Sequence, residues 1–170
     1  MHLSWKRIVI YIMPLLIMAF IFVQSALPAD LSSEESGFFV ERICRILKAD
    51  PEIITVVVRK AAHFCEYLVL GISLIPAVHK GVTEKEREGR KQNADRRSPR
   101  VSESVTACII GALFSVSDEI HQHFVLGRSC ELRDILIDSA GILCGVVLTA
   151  LFRRSFYSRS HRPQATDRPR

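Results

Sequence analysis

Ala107-Cys108-Ile109-Ile110-Gly111-Ala112-Leu113-Phe114 leads into Ser117-Asp118-Glu119-Ile120-His121-Gln122-His123-Phe124, and Gly127-Arg128 follow shortly after. The first part has the composition of a membrane span. The second sets two adjacent carboxylates, two imidazoles and an amide at its end. An ionisable group inside a bilayer is costly unless it is paired or wetted, so such groups mark a functional site by default.

The surrounding chain supports a membrane reading. Apolar residues make up 48% of the 170, a share that a soluble domain could also hold. They are gathered into four runs, at residues 8–27, 53–78, 105–125 and 135–152, with strongly charged segments between them. At about 1.5 Å per residue the first run spans a hydrocarbon core of roughly 30 Å, and all four lie at or above the lower length limit for transmembrane helices. The expected fold is therefore an all-α membrane bundle of four transmembrane helices, forming one domain over residues 1–152. Ser25-Ala26-Leu27-Pro28-Ala29 loosely resembles a signal-peptide cleavage site. The first run is longer than the usual apolar core of about 7–15 residues, and Leu27 suits the −3 position poorly, so we read it as an uncleaved span.

Between the first two runs, Ser32 and Glu35 form a capping-box pair. Phe39, Val40, Ile43, Ile46 and Leu47 then fall on one helical stripe, which predicts an amphipathic helix at the membrane surface or over the bundle. Basic residues alternate along the chain. Lys6-Arg7, the segment 79–104 and the tail 153–170 are rich in them, whereas residues 28–52 and 126–133 are poor. The positive-inside rule then places both termini and the middle loop in the cytoplasm of a bacterial cell, and the amphipathic helix outside. The loop 79–104 and the tail are expected to lack regular structure.

The formal net charge of +5 and the pI near 9.1 follow from these basic segments. No zinc spacing, RNP motif or aromatic platform accompanies them, so nucleic acid is not an expected partner; the lipid bilayer is. The five cysteines contain no CxxC pair and read mainly as small buried hydrophobes. Cys44 and Cys130 would share one side of the membrane, but nothing in the sequence supports a disulfide between them.

This topology carries Arg59, Lys60 and His63 into the outer half of the second span, and Asp118, Glu119, His121 and Gln122 into that of the third. Asp134 and Asp138 open the fourth at the same level. Lys60, His63, Tyr67 and Gly71 fall within roughly 80° of one another around a helix. Ser115, Asp118, Glu119 and Gln122 share a face, with His121 on its flank. So do Asp134, Asp138, Gly141 and Gly145, and the Gly141-x-x-x-Gly145 pattern permits close helix approach.

Lys60-x-x-His63-Phe64-x-x-Tyr67-x-x-x-Gly71, Ser117-Asp118-Glu119-x-x-Gln122-x-Phe124 with Gly127-Arg128, and Asp134-x-x-x-Asp138-x-x-Gly141-x-x-x-Gly145 resemble the VanZ-like family of bacterial membrane proteins over residues 20–146. The resemblance implies a small multi-pass protein of the cell envelope. The family's namesake is associated with resistance to the glycopeptide teicoplanin. Leu126 stands where that family commonly has proline, and Asp138 where it commonly has asparagine.

The candidate pocket residues are thus Lys60, His63, Tyr67, Asp118, Glu119, Gln122, Arg128, Asp134 and Asp138. Three uses stay open on sequence alone. They could bind cell-envelope material or a glycopeptide at the outer leaflet. They could run acid–base chemistry on a lipid-linked precursor, with His63 or His121 as base and Lys60 or Arg128 as anion clamp. They could also be interhelical glue, with Lys60 or Arg59 neutralising Asp118 or Asp138, and Arg59 pairing with Glu66 seven residues on. No reaction is assigned and no cofactor is evident. A divalent metal on residues such as Asp118 and His121 has only weak spacing support, without HExxH or a cysteine cluster. Transport is disfavoured, since nothing polar crosses the inner leaflet. His79 and His123, near the water boundaries, read as unremarkable.

Overall fold

Four long helices carry the computed structural model, which describes residues 5–28, 37, 40–46, 48, 50–89, 101–128 and 130–160. They are α1 (Trp5–Ser25), α2 (Pro51–Gly89), α3 (Val101–Gln122) and α4 (Leu132–Ser160), and the described residues contain no strand. Each includes a stretch long and apolar enough to cross a bilayer: Arg7–Ser25, Pro51–Val82, Val101–Gln122 and Leu132–Ser155.

The helices overrun the apolar runs. α2 continues past Val78 to Gly89, and α4 past Phe152 to Ser160. The loop expected over 79–104 is therefore helical at 79–89 and 101–104, and the tail expected to lack structure is helical to Ser160. Loss of apolar character ends a membrane span but not a helix. Residues such as Glu84, Lys85, Glu86 and Arg87 favour helix and no proline interrupts them. Residues 90–100 and 161–170 lie outside the described residues. At its other end α2 starts where Asp50 Oδ1 accepts the Glu52 N–H at 2.8 Å and Pro51 takes the first helical position.

Residues 40–46 are helical, with Val40 buried, Ile43 half-buried and Ile46 exposed. Phe39, Leu47 and the Ser32–Glu35 capping pair lie outside the described residues. The described cysteines are all free thiols, Cys44 and Cys130 among them.

α2 and α4 form the closest pair in the bundle. A Cβ added at Gly71 would lie 2.5 Å from the Ile142 carbonyl oxygen, and one at Gly141 2.5 Å from that of Phe64. Glycine lets the two backbones touch, which maximises the dispersion contact that holds membrane helices together. Around this seam Tyr67, Leu70, Ile75 and Ile142 are buried, with Ile21 of α1 and Ala107 of α3.

Burial elsewhere is inverted relative to a water-soluble bundle. Leu15, Leu16, Leu113, Leu136 and Leu143 are exposed, whereas Ser25, Ser115, Asp118, Glu119, Gln122 and Asp138 are buried. Apolar side chains outward and polar ones inward is the arrangement that hydrocarbon solvent selects.

A second polar contact lies toward the other end. His79 Nδ1 is 2.9 Å from Glu103 Oε2, and Glu103 is buried. His79 is thus an interhelical partner linking α2 and α3, not an unremarkable boundary residue.

Candidate functional site

At the end of the bundle where α1 and α3 finish and α2 and α4 begin, Asp118 is the hub. Its Oδ2 accepts from Ser25 Oγ at 2.8 Å, from Tyr67 Oη at 3.2 Å and from Gln122 Nε2 at 3.1 Å. One carboxylate oxygen therefore ties α1, α2 and α3 together. Ser115 Oγ, one turn earlier on the same face of α3, donates to Asp138 Oδ2 of α4 at 3.2 Å. Lys60 and Arg59 pair with neither Asp118 nor Asp138, as the interhelical-glue alternative would have had them do; Lys60 pairs with Asp134.

Next to the hub lies a cavity of about 170 Å³. α2 lines it with Val56, Arg59, Lys60 and His63, and α3 with Glu119 and Gln122. The connection to α4 adds Gly127, Arg128 and Glu131, and α4 itself adds Asp134, Ile137 and Asp138. Seven of the nine residues expected to form the pocket line this cavity. Tyr67 and Asp118 stand behind it, bonded to each other. His121 faces away, stacked on Phe22 of α1 with ring centroids 4.0 Å apart.

Four of the cavity's charged side chains, Lys60, Asp134, Arg128 and Glu119, are committed. Lys60 pairs with Asp134, and its Nζ lies 3.9 Å from Glu131 Oε2. Arg128 donates from Nε to the Leu27 carbonyl at 3.0 Å, from Nη2 to that of Gln24 at 3.4 Å, and from Nη1 to Gln122 Oε1 at 3.1 Å. It thereby caps the C-terminal carbonyls of α1. The turn that delivers it needs Gly127, whose φ of 75° is left-handed. Glu119 Oε1 accepts the Glu131 N–H at 2.7 Å. His63 Nδ1 sits 3.9 Å from Asp138 Oδ1.

Arg59 differs. Among the described residues it has no hydrogen bond or ion pair, and the Arg59–Glu66 bridge expected from the spacing is not formed. Glu66 Oε2 is buried without a partner, as are Asp118 Oδ1, Glu119 Oε2, His121 Nε2 and Asp138 Oδ1. Arg59 and Glu131 are the charged lining residues that sequence reasoning left out of the pocket, along with Val56, Gly127 and Ile137. The only available signal for Arg59 was its place beside Lys60 in an otherwise apolar run. Among the described residues, no three His, Cys, Asp or Glu side chains gather as a metal site would require.

The chain matches the VanZ/LLP1 family over residues 8–153, which is most of its length and takes in all four spans and every lining residue of the cavity. The chain belongs to the VanZ/LLP1 family. No curated protein and no solved structure matches it. In this VanZ/LLP1 protein most of the residues that carried the resemblance fall into two structural groups, with Tyr67 and Asp118 in the hub behind them. Gly71, Gly141 and Gly145 make the α2–α4 seam. Lys60, His63, Glu119, Gln122, Arg128, Asp134 and Asp138 make the cavity wall. Asp138 accepts from Ser115 with one oxygen, and its other oxygen makes no hydrogen bond and lies 3.9 Å from His63 Nδ1.

Proposed function

We propose that this VanZ/LLP1 protein is a multi-pass protein of the bacterial cytoplasmic membrane, with both termini in the cytoplasm. Its polar cavity opens at the extracytoplasmic face, binds a polar group of cell-envelope material there, and so alters susceptibility to teicoplanin-type glycopeptides. The observation that carries this reading is the cavity itself. Charged side chains from three helices and a connecting turn surround a space that their own pairings leave unfilled. The association of the family's namesake with teicoplanin resistance supplies the proposed consequence.

Volume limits the occupant. Sites for drug-sized ligands run to roughly 300–1,000 Å³, so a cavity of about 170 Å³ is too small to enclose a glycopeptide. A headgroup or the end of a peptide stem is the fitting scale. Binding is favoured over covalent catalysis, since among the described residues no serine or cysteine lines the cavity and Ser25 and Ser115 are already bonded to Asp118 and Asp138.

Two measurements test the reading. In intact cells, a charged maleimide that cannot cross membranes is expected to label exposed Cys130 in a Cys44→Ser background. Labelling only after permeabilisation would reverse the orientation. His63→Ala and Glu119→Gln proteins are expected to reach the membrane at near wild-type abundance and to lose the change in teicoplanin susceptibility. Unchanged susceptibility with full abundance would sink the proposed role of the cavity.

A further inference from the structure

We propose that Arg59 is the anion-binding residue of this cavity and that its occupant is the phosphate-bearing headgroup of a membrane lipid, one that also offers hydroxyl or ammonium donors. This rests on the binding reading above and names its ligand class.

The cations decide the first part. Lys60 is held by Asp134, Arg128 by three oxygen acceptors, and His63 lies against Asp138. Arg59 lines the same space and, among the described residues, has no counter-ion. A guanidinium in a membrane span without a partner is costly, and its planar fork matches phosphate geometry. Arg128, across the cavity, is pulled below its usual pKa by burial first and then by the charge of Arg59. An anion seated between the two would relieve both.

The opposite wall decides the second part. Glu119 and Asp138 are about 1% exposed, and each keeps one buried oxygen without a hydrogen bond, that of Asp138 lying 3.9 Å from His63 Nδ1. Buried acceptors left unpaired are costly, and a ligand carrying O–H or N–H groups beside its phosphate would satisfy them. Inorganic phosphate at neutral pH offers few such donors; a glycerol, sugar or amino headgroup offers several.

Access decides the third part. Val56 is both a wall of the cavity and 50% exposed on the lipid-facing side of α2, beside exposed Ile53 and Val57. The connection that supplies Gly127, Arg128 and Glu131 also carries Phe124 and Leu126, exposed at 80% and 85%. Apolar side chains of this kind beside a charged mouth belong at the headgroup boundary. The mouth therefore meets the membrane plane, where a headgroup is already present at high local concentration.

The test uses the full-length protein in detergent, titrated with defined lipids and read by native mass spectrometry. Phosphatidylglycerol is expected to bind at least about tenfold more tightly than a diglucosyl diacylglycerol of the same acyl chains, a difference of about 1.4 kcal/mol. Arg59→Gln is expected to abolish that preference, Arg59→Lys to retain part of it, and Arg154→Gln at the far end of the bundle to leave it intact. A melting temperature for Arg59→Gln close to wild type shows that the fold survives; if that variant is unfolded, the partial loss in Arg59→Lys carries the test. Equal binding of the phosphate-free glycolipid overturns the proposal, as does undiminished phosphatidylglycerol binding by Arg59→Gln. Glycerol 3-phosphate bound as tightly as the lipid overturns the membrane source of the anion. The two readings fail separately. An Arg59→Gln strain with normal susceptibility, where the purified variant has lost the lipid, refutes the resistance role alone. No lipid preference, where His63→Ala still changes susceptibility, refutes the headgroup alone.

Discussion

Asp118→Ala is expected to remove most of the folded protein from the membrane. Asp118 Oδ2 is the shared acceptor for Ser25, Tyr67 and Gln122, donors on three different helices. Alanine leaves the Ser25 and Tyr67 hydroxyls buried without this acceptor, whereas Gln122 Nε2 keeps its 3.3 Å bond to Ser25 Oγ. Interhelical hydrogen bonds in membranes average only about 0.6 kcal/mol each, because the separated helices find other partners. The larger cost is the desolvation of the orphaned donors, about 1–3 kcal/mol apiece. For the two orphaned hydroxyls the loss should therefore total about 2–6 kcal/mol, a range that includes the cost of breaking a buried pair. Membrane abundance and the melting temperature in detergent are the measurements.

Asp118→Asn separates acceptor geometry from charge. Its carbonyl oxygen can take the place of Oδ2 and keep all three donors, with its amide on the side where Oδ1 now has no partner. We expect Asn to recover most of the abundance that Ala loses. If Asn and Ala are equally depleted, the hub's contribution is its charge and the account by shared acceptance is wrong. A protein stable as Asp118→Ala would show that Ser25 and Tyr67 find other acceptors.

The contrast between hub and cavity explains what could be read from the sequence. The four spans were legible because hydrocarbon demands long apolar runs, and the shared faces because α-helical phase fixes which residues turn together. Ser115, Asp118, Glu119 and Gln122 fall on one buried face for that reason alone. Partner choice was not legible. Lys60 could reach several carboxylates in a helical-wheel argument, and the choice of Asp134 depends on how far α2 and α4 slide along their glycine seam. Arg128 reads as a free anion clamp until the end of α1 is placed beside it, when its donors prove to be occupied by the Leu27 and Gln24 carbonyls. That same occupation leaves Arg59 as the residue facing the cavity uncommitted. The His79–Glu103 contact was hidden by helix ends. Both residues lie where hydropathy has already fallen, and only the continuation of α2 and the early start of α3 bring them together.

The glycine seam should be the other most sensitive part of the molecule. A Cβ at Gly145 would fall on the Leu68 carbonyl oxygen at a separation no real Cβ contact has, and 2.9 Å from the Ile72 nitrogen. Both are backbone atoms of α2, so no side-chain rotation relieves the overlap. Gly145→Leu must push α4 away from α2, opening the contact at Gly141 and Gly71 as well and stretching the Ser115–Asp138 and Lys60–Asp134 links. Overpacking a well-packed core costs about 1–3 kcal/mol or more. Here the strain falls on the closest helix pair, and we expect Gly145→Leu to be nearly absent from the membrane, with Gly145→Ala reduced but detectable. Leucine at Gly81, which has open space around it, serves as the matched control and should accumulate normally. If Gly145→Leu accumulates like the control, α2 and α4 do not meet where the glycines place them, and the cavity between them loses its wall.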